Sequence, residues 1–413
     1  MAEVATLKEQ FEEAKAKKLA LDMTRGKPGS EQLDLALPML DLVTSSDYKT
    51  IGGADSRNYG GLDGIPEVKE LFKDLLEVSS TSEVVVGGNS SLTLMHDTIA
   101  RCVSHGNSSS AKPWGKLESV KFLCPSPGYD RHFSICEHFG IEMITVENKN
   151  NDLDIDKIEE LVAGDDSIKG IWVVPKYGNP TGTSVSDDIV DRLAKMSTAA
   201  NDFRIFWDNA YTVHHLSEDV DVIKNIFDAS KSAGNSDRVF ILGSTSKITF
   251  AGSGVAAIGG SEANMNWVRK QLAISTIGPD KINQVRHTRF FGDFNGLKDH
   301  MKKHAALIKP KFEMVNSILE NRLGGKGLAR WTNPKGGYFI SLDTNEGCAK
   351  RVVSLAAEAG VKLTAAGATF PYKNDPRDTN IRLAPTLPSI EEIQQAMEIV
   401  CLCVEIAESE RQS

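Results

Sequence analysis

Within ILGSTSKITFAGSG, residues 241–254, Lys247 is the single charge, set among serines, threonines and glycines directly after an apolar run. Desolvation among small residues penalises an ammonium, and a fall of ~3 units from the usual lysine pKa of about 10.4 corresponds to roughly 4 kcal/mol. A lysine that has lost its proton attacks carbonyl groups and forms Schiff bases. Comparable apolar runs deliver other chemistry-bearing residues: KFLCPSPGYD delivers Tyr129, WVVPKYGNPTG delivers Asn179, IFWDNAY delivers Asp208 and Tyr211, and FILGSTSK delivers Ser244 and Ser246 beside Lys247. Ahead of them, VVVGGNSSLTLMHD places Gly88, Asn89 and Ser90 at the start of a predicted helix. Hydroxyls and free amides at a helix start bind phosphate without a matched cation.

Taken singly, each feature has a plain structural reading. GGNSS is a turn and an N-cap, NPTG is a β-turn signal, Asp208 caps a helix, Lys247 is a surface amine, and the two tyrosines are core aromatics with wet tips. Those readings leave unexplained why all of them follow successive apolar runs. One chemistry needs the whole set: an amine for a Schiff base, a carboxylate to keep a pyridine nitrogen protonated, a phosphate cradle, and a flat ring to stack on. Together these needs describe pyridoxal 5'-phosphate.

The elements that must position such a set are legible as a repeat. From residue 84 the runs EVVVGG, SVKFLCPSPGY, IEMITVE, IKGIWVVPKYGNPTG, FRIFWDNAY, RVFILGSTSK and GVAAIGG alternate with turn clusters and longer amphipathic stretches. Continuous apolarity marks strands covered on both faces, and intervening helices favour right-handed crossovers. The pattern predicts an α/β fold with a mostly parallel seven-stranded sheet flanked by helices, whose ligand lies outside the carboxyl ends of the strands. After about residue 265 the pattern turns helical, then to a smaller α+β portion with GGYFISLD, VKLTAAGATF and NIRLAP as short strands. The expected division is 1–50, an N-terminal segment packing with the small domain; 51–295, a large cofactor-binding domain; and 296–413, a small C-terminal domain.

Composition excludes several classes. The chain has 413 residues, 40% hydrophobic and 25% charged, within the range of ordinary globular proteins. A net charge of -9 argues against a nucleic-acid partner. Six cysteines without a CxxC pair read as reduced structural thiols, and no metal site is expected. Without an apolar leader or an apolar run of about 18 residues, no membrane association is expected, and a cytoplasmic location follows as an expectation.

The ordered marks NYGGLDG, GGNSSL, PGY, NPTG, DNAY, STSK, GGYF and IRLAP resemble the pyridoxal-phosphate-dependent aminotransferases of fold type I, the class I aspartate aminotransferase superfamily. The likeness runs from TRGKPG to NIRLAP and implies roles position by position. Lys247 would carry the Schiff base and shuttle the proton at the substrate Cα, Asp208 would pair with the pyridinium nitrogen, and Asn179 and Tyr211 would hydrogen-bond the ring O3'. Tyr129 would stack on the ring, while Gly88, Asn89, Ser90, Ser244 and Ser246 would hold the phosphate. Tyr59 would reach the phosphate of a neighbouring subunit, which implies a homodimer with a shared active site. Arg382 would grip the substrate α-carboxylate, and Gly26 would let the N-terminal segment close over the substrate.

One position departs from the resemblance. Most of the family carries a phosphate-binding arginine eight residues beyond the lysine, where this chain has Val255. Ser253 is the candidate hydroxyl in its place, with Lys281 or Arg57 as alternative cations. This resembles the divergent aspartate aminotransferase-like class related to MocR-type effector domains, without a fused DNA-binding region. The implied activity, within amino-acid metabolism, is transfer of an amino group between an L-amino acid, aspartate foremost, and a 2-oxo acid such as 2-oxoglutarate, by a ping-pong route. Rival readings are a β-lyase or decarboxylase on the same scaffold, or a non-catalytic module binding the cofactor and an effector. For a second substrate carboxylate, Arg25, Arg57, Arg286 and Arg289 are the candidates.

Overall fold

The computed structural model describes the backbone of residues 2–412 and the side chains of residues 6–412. The chain opens with the helix Ala2–Ala16 and the short strand β1 (Leu21–Asp22). Seven strands then build the main sheet: β2 (Val84–Val86), β3 (Lys121–Ser126), β4 (Glu142–Glu147), β5 (Ile168–Val173), β6 (Arg204–Asp208), β7 (Val239–Ser244) and β8 (Ala256–Gly260). Their order is β2-β8-β7-β6-β5-β3-β4. The pairs β3/β4, β3/β5, β5/β6 and β6/β7 are parallel, whereas β8 runs antiparallel to both β7 and β2.

The uninterrupted apolar runs have a direct cause in burial. Successive residues of a strand point to opposite faces, and in β6 Ile205 and Trp207 enter one core while Phe206 enters the other. Neither face meets water, so the three interior positions of the strand, 205–207, are all apolar and its charged residues, Arg204 and Asp208, stand at its two ends. On the second face Phe122, Trp172, Phe206 and Phe240 make successive ring contacts at 4.8–5.7 Å between centroids. The crossover helix Asp187–Lys195 shows how the other layer is built: Ser186 caps its N-terminus, and Ile189, Val190, Leu193 and Ala194 form the one face it buries. Burying a leucine such as Leu193 contributes roughly 1.5–3 kcal/mol.

The last third adds β9 (Ala329–Trp331), β10 (Ile340–Thr344), β11 (Val361–Lys362) and β12 (Asn380–Leu383). An antiparallel sheet runs β12-β10-β9, and β11 pairs in parallel with β1. Leu21 and Met23 donate to Gly360 O and Lys362 O, and Ala384 donates to Met23 O. Phe11, Ala14, Leu21 and Met23 therefore share a core with the C-terminal elements, including the helices Phe294–Leu323 and Ile390–Arg411, and with Tyr177 and Tyr211 from beside the main sheet. All six cysteines are free and buried. Among the described residues no helix is long and apolar enough to cross a membrane, and no cluster of His, Cys, Asp and Glu has a metal-binding arrangement.

Candidate active site

Strand direction decides which residues can meet. β3, β5, β6 and β7 are parallel, and two successive antiparallel pairings through β8 return β2 to the same direction as β7. Their carboxyl ends thus lie on one edge. There the chain places Tyr129 as N-cap of the helix Asp130–His138, Asn179 beyond β5, Asp208 as the last residue of β6 with Tyr211 just after it, and Lys247 shortly after Ser244 closes β7. Gly88 and Asn89 follow β2, and Ser90 caps the helix Ser91–His105, its Oγ accepting from Leu92 N at 3.2 Å.

Asp208 is 3% exposed. A carboxylate only accepts, so His132 donates through Nε2 to Asp208 Oδ2 at 3.0 Å. Its other oxygen, Oδ1, is buried and has no partner. His132 is fixed in turn by its ring, stacked on Trp172 at 4.5 Å and 8° and met edge-on by Tyr129 at 5.0 Å. Burial pushes the Tyr129 and Tyr211 phenols up, keeping both neutral.

The Lys247 Nζ lies 5.1 Å from the centre of the Tyr211 ring and makes no hydrogen bond or ion pair among the described residues. Burial pushes its pKa down, with the charge of Asp208 opposing the shift. Its main chain is tied from behind: Tyr338 Oη donates to Lys247 O at 3.2 Å, and Gln32 Nε2 donates to Tyr338 Oη and to His304 Nδ1, each at 3.0 Å. The amine is left free while the backbone that carries it is held.

The residues expected to cradle a phosphate, Gly88, Asn89, Ser90, Ser244 and Ser246, are all neutral. Ser246 Oγ donates to Asn89 O at 2.8 Å, joining the turn after β7 to the turn after β2. That approach requires glycine at 254, where a Cβ would stand 2.9 Å from Ser246 N and 3.1 Å from Asn89 O. Val255 is 2% exposed and packs in the core, so its side chain cannot stand in for an arginine. The replacements expected from the sequence are engaged elsewhere. Ser253 Oγ donates to Asn283 Oδ1 at 3.4 Å, Lys281 Nζ to Gly60 O at 2.8 Å, and Arg57 pairs with Asp55 at 2.7 Å while lying over Tyr48. Tyr59 is 83% exposed, and no hydrogen bond or ring contact joins it to the cradle of its own chain.

Arg382 projects from β12 and is 9% exposed. Its Nη1 donates to Asp130 Oδ1 (3.1 Å) and Asn179 Oδ1 (3.3 Å), and its Nη2 donates to Thr364 Oγ1 (3.2 Å) and Thr24 O (3.4 Å). The guanidinium lies 4.9 Å from the centre of the Phe339 ring, and Gly26 abuts the tip of the same ring. A Cβ on Gly26 would fall 2.1 Å from Phe339 Cζ, so only glycine lets the N-terminal segment close this tightly. Of the arginines considered for a second carboxylate, Arg289 is committed to Asp47 and the carbonyls of residues 42–49, and Arg57 to Asp55. Arg25 and Arg286 have no ion pair among the described residues.

Sequence reasoning did not single out His132, Asp130, Tyr338 or Phe339. His132 lies one helical turn beyond Tyr129, so the spacing in PGYDRH carried a signal for it. Asp130 carried none, since its partner is 252 residues away.

The aspartate amino-transferase family model matches residues 1–413. An aspartate aminotransferase of Corynebacterium glutamicum is 49% identical over 404 residues, covering 98% of this chain and 93% of that protein. The crystal structure of an aspartate transaminase from the same species superposes with a TM-score of 0.96 at 48% identity, over 99% of this chain and 96% of that one. The α-aminoadipate aminotransferase LysN of Thermus thermophilus, complexed with N-(5'-phosphopyridoxyl)-L-leucine, shares the fold at a TM-score of 0.75 and 18% identity, over 95% of this chain and 93% of that one.

Proposed function

The chain belongs to the aspartate aminotransferase family, and from that premise we propose that it uses pyridoxal 5'-phosphate, held through Lys247, to exchange the amino group of aspartate with 2-oxoglutarate. Amino-group transfer itself follows from the family and from the extent of the match to aspartate aminotransferases. The observation that carries the cofactor reading is the pairing of two unmet groups: a desolvated lysine amine without a partner, and a buried aspartate with one oxygen oriented by His132 and the other unpartnered. A protonated pyridine nitrogen satisfies that oxygen, and an aldehyde takes that amine. The open face at Gly88, where a Cβ would meet nothing within 4 Å, leaves room for a phosphate at the start of the Ser91–His105 helix.

When bound, the cofactor supplies an electron sink for the substrate Cα. The chain supplies the rest. Lys247, whose pKa burial lowers, would take the proton from the substrate Cα and return it at the carbon that accepts the amino group. Asp208, oriented by His132, would hold a proton on the ring nitrogen, Tyr129 would stack on the ring, and Asn179 and Tyr211 would hydrogen-bond the ring hydroxyl. Ser90, Ser244, Ser246 and the amides near Gly88 and Asn89 hold the phosphate without an arginine. Arg382 fixes the α-carboxylate, and closure of Gly26 on Phe339 excludes water.

A homodimer is part of this reading. Ile51, Tyr59 and Ile277 in loops and Ile274 in the last turn of the helix Glu262–Ser275 are 86%, 83%, 60% and 89% exposed, and the Tyr59 and Ile277 loops adjoin where Lys281 donates to Gly60 O. Large exposed apolar groups on adjoining loops suit a subunit contact. Sedimentation at a mass of 45.0 kDa would rule it out.

The deciding experiment incubates the holoenzyme with one amino donor at a time and no acceptor. Aspartate is expected to release one equivalent of its 2-oxo acid per subunit and then stop, until 2-oxoglutarate restarts turnover. Continuous release of ammonia or carbon dioxide would replace transamination with elimination or decarboxylation.

A further inference from the structure

The grip of Arg382 on the substrate is contested by a residue of the chain itself. Its other hydrogen-bond partners, Asn179, Thr24 O and Thr364, are neutral, and its Nε is buried with no partner. Asp130 alone brings a negative charge, at 3.1 Å from Nη1. A carboxylate at hydrogen-bond distance from this guanidinium is what an amino-acid substrate must also place there.

We propose that Asp130 is a built-in competitor for the carboxylate site: it holds Arg382 while the site is empty and yields to the α-carboxylate of the substrate, so that it sets the affinity for carboxylates. The proposal rests on the reading of Arg382 given above.

The two halves of the ion pair differ in how they are held. Arg382 is fixed by four hydrogen-bond partners and by the Phe339 ring, with a side chain 9% exposed. The Asp130 carboxylate has Arg382 as its one hydrogen-bond partner among the described residues and is 36% exposed. The aspartate is therefore the half that can move, and rotation carries it toward water. Asp130 is also the first residue of the Asp130–His138 helix. A helix N-terminus favours a carboxylate whether or not a cation is engaged, so displacement does not leave the charge without support. Asp130 balances the charge of Arg382, and an incoming carboxylate replaces a carboxylate. The buried guanidinium is thus spared the cost of standing unpaired between turnovers.

Asp130→Asn separates charge from shape, because its Oδ1 can still accept from Nη1. In the holoenzyme, the inhibition constant of propionate, a monocarboxylate with no amino group to transfer, is expected to fall about three- to fivefold in Asp130→Asn, the scale of a partly exposed ion pair. The KM for aspartate should fall in parallel. Asp130→Ala is expected to move both in the same direction, which guards against a fault peculiar to the amide. A constant that stays the same or rises in both variants overturns the proposal, since the aspartate would then be orienting Arg382. Arg382→Ala keeps the two ideas apart. If it leaves propionate inhibition unchanged, the carboxylate role of Arg382 fails; if it weakens inhibition while Asp130→Asn does not tighten it, only the competitor fails. In the Arg382→Ala background, Asp130→Asn is expected to have no further effect.

Discussion

Replacing His132 by phenylalanine probes how Asp208 is aimed. The phenyl ring can take up the stack that imidazole makes on Trp172 at 4.5 Å and 8°, and, as the larger ring, it leaves no cavity on that side of the sheet. What is lost is the one donor to Asp208 Oδ2, in a residue whose Oδ1 already lacks a protein partner. A hydrogen bond to a charged group contributes about 1.5–3 kcal/mol. If that bond steadies Asp208 against the ring nitrogen as charge develops, its loss appears in the transition state and lowers kcat/KM by about ten- to a hundredfold. Steady-state kinetics with aspartate and 2-oxoglutarate, alongside cofactor affinity and a thermal melt, is the assay. The expected pattern is a large fall in kcat/KM with a Tm within a few degrees of wild type. A variant within twofold of wild type would show that Asp208 is held without His132.

Two further outcomes are expected. Gly26→Ala forces a methyl against Phe339, where the Cβ would sit 2.1 Å from Cζ, and overpacking of this kind costs about 1–3 kcal/mol; the KM for amino donors is expected to rise about tenfold, and an unchanged KM would show that closure on Phe339 plays no part in binding. Stability should fall as the pH drops below about 6.5, because burial holds His287 at a pKa of about 4 and His304 at about 3 in the folded chain. Between those values and the unfolded value the unfolded chain binds protons that the folded chain refuses, so each group costs up to about 1.4 kcal/mol per pH unit on acidification. Denaturant titrations at pH 7 and pH 5 check this, and equal stabilities would contradict it.

The main sheet was legible because its strands are buried on both faces: Ile205, Phe206 and Trp207 all had to be apolar, and the turns after them had to carry the polar groups. The residues that follow the strands were legible for the same reason, since parallel strands bring their carboxyl ends to one edge. The proposed phosphate cradle was only half readable. Val255 shows in the sequence itself that no arginine stands there, but the engagement of Ser253 and Lys281 depends on residues 30 and 221 positions away. Long-range pairings were the blind spot. Nothing local marks Gln32 as the link between Tyr338 and His304, or the two residues of β1 as partners of β11. Such contacts are fixed by how the chain ends come together, which no window of sequence contains.

Lys247 is the residue on which the proposed chemistry turns. Borohydride reduction of the holoenzyme, followed by proteolysis and mass spectrometry, is expected to place a phosphopyridoxyl group on Lys247 and nowhere else, and Lys247→Ala is expected to lose both the label and aminotransferase activity. A label on another lysine, or an active enzyme that carries none, would contradict it.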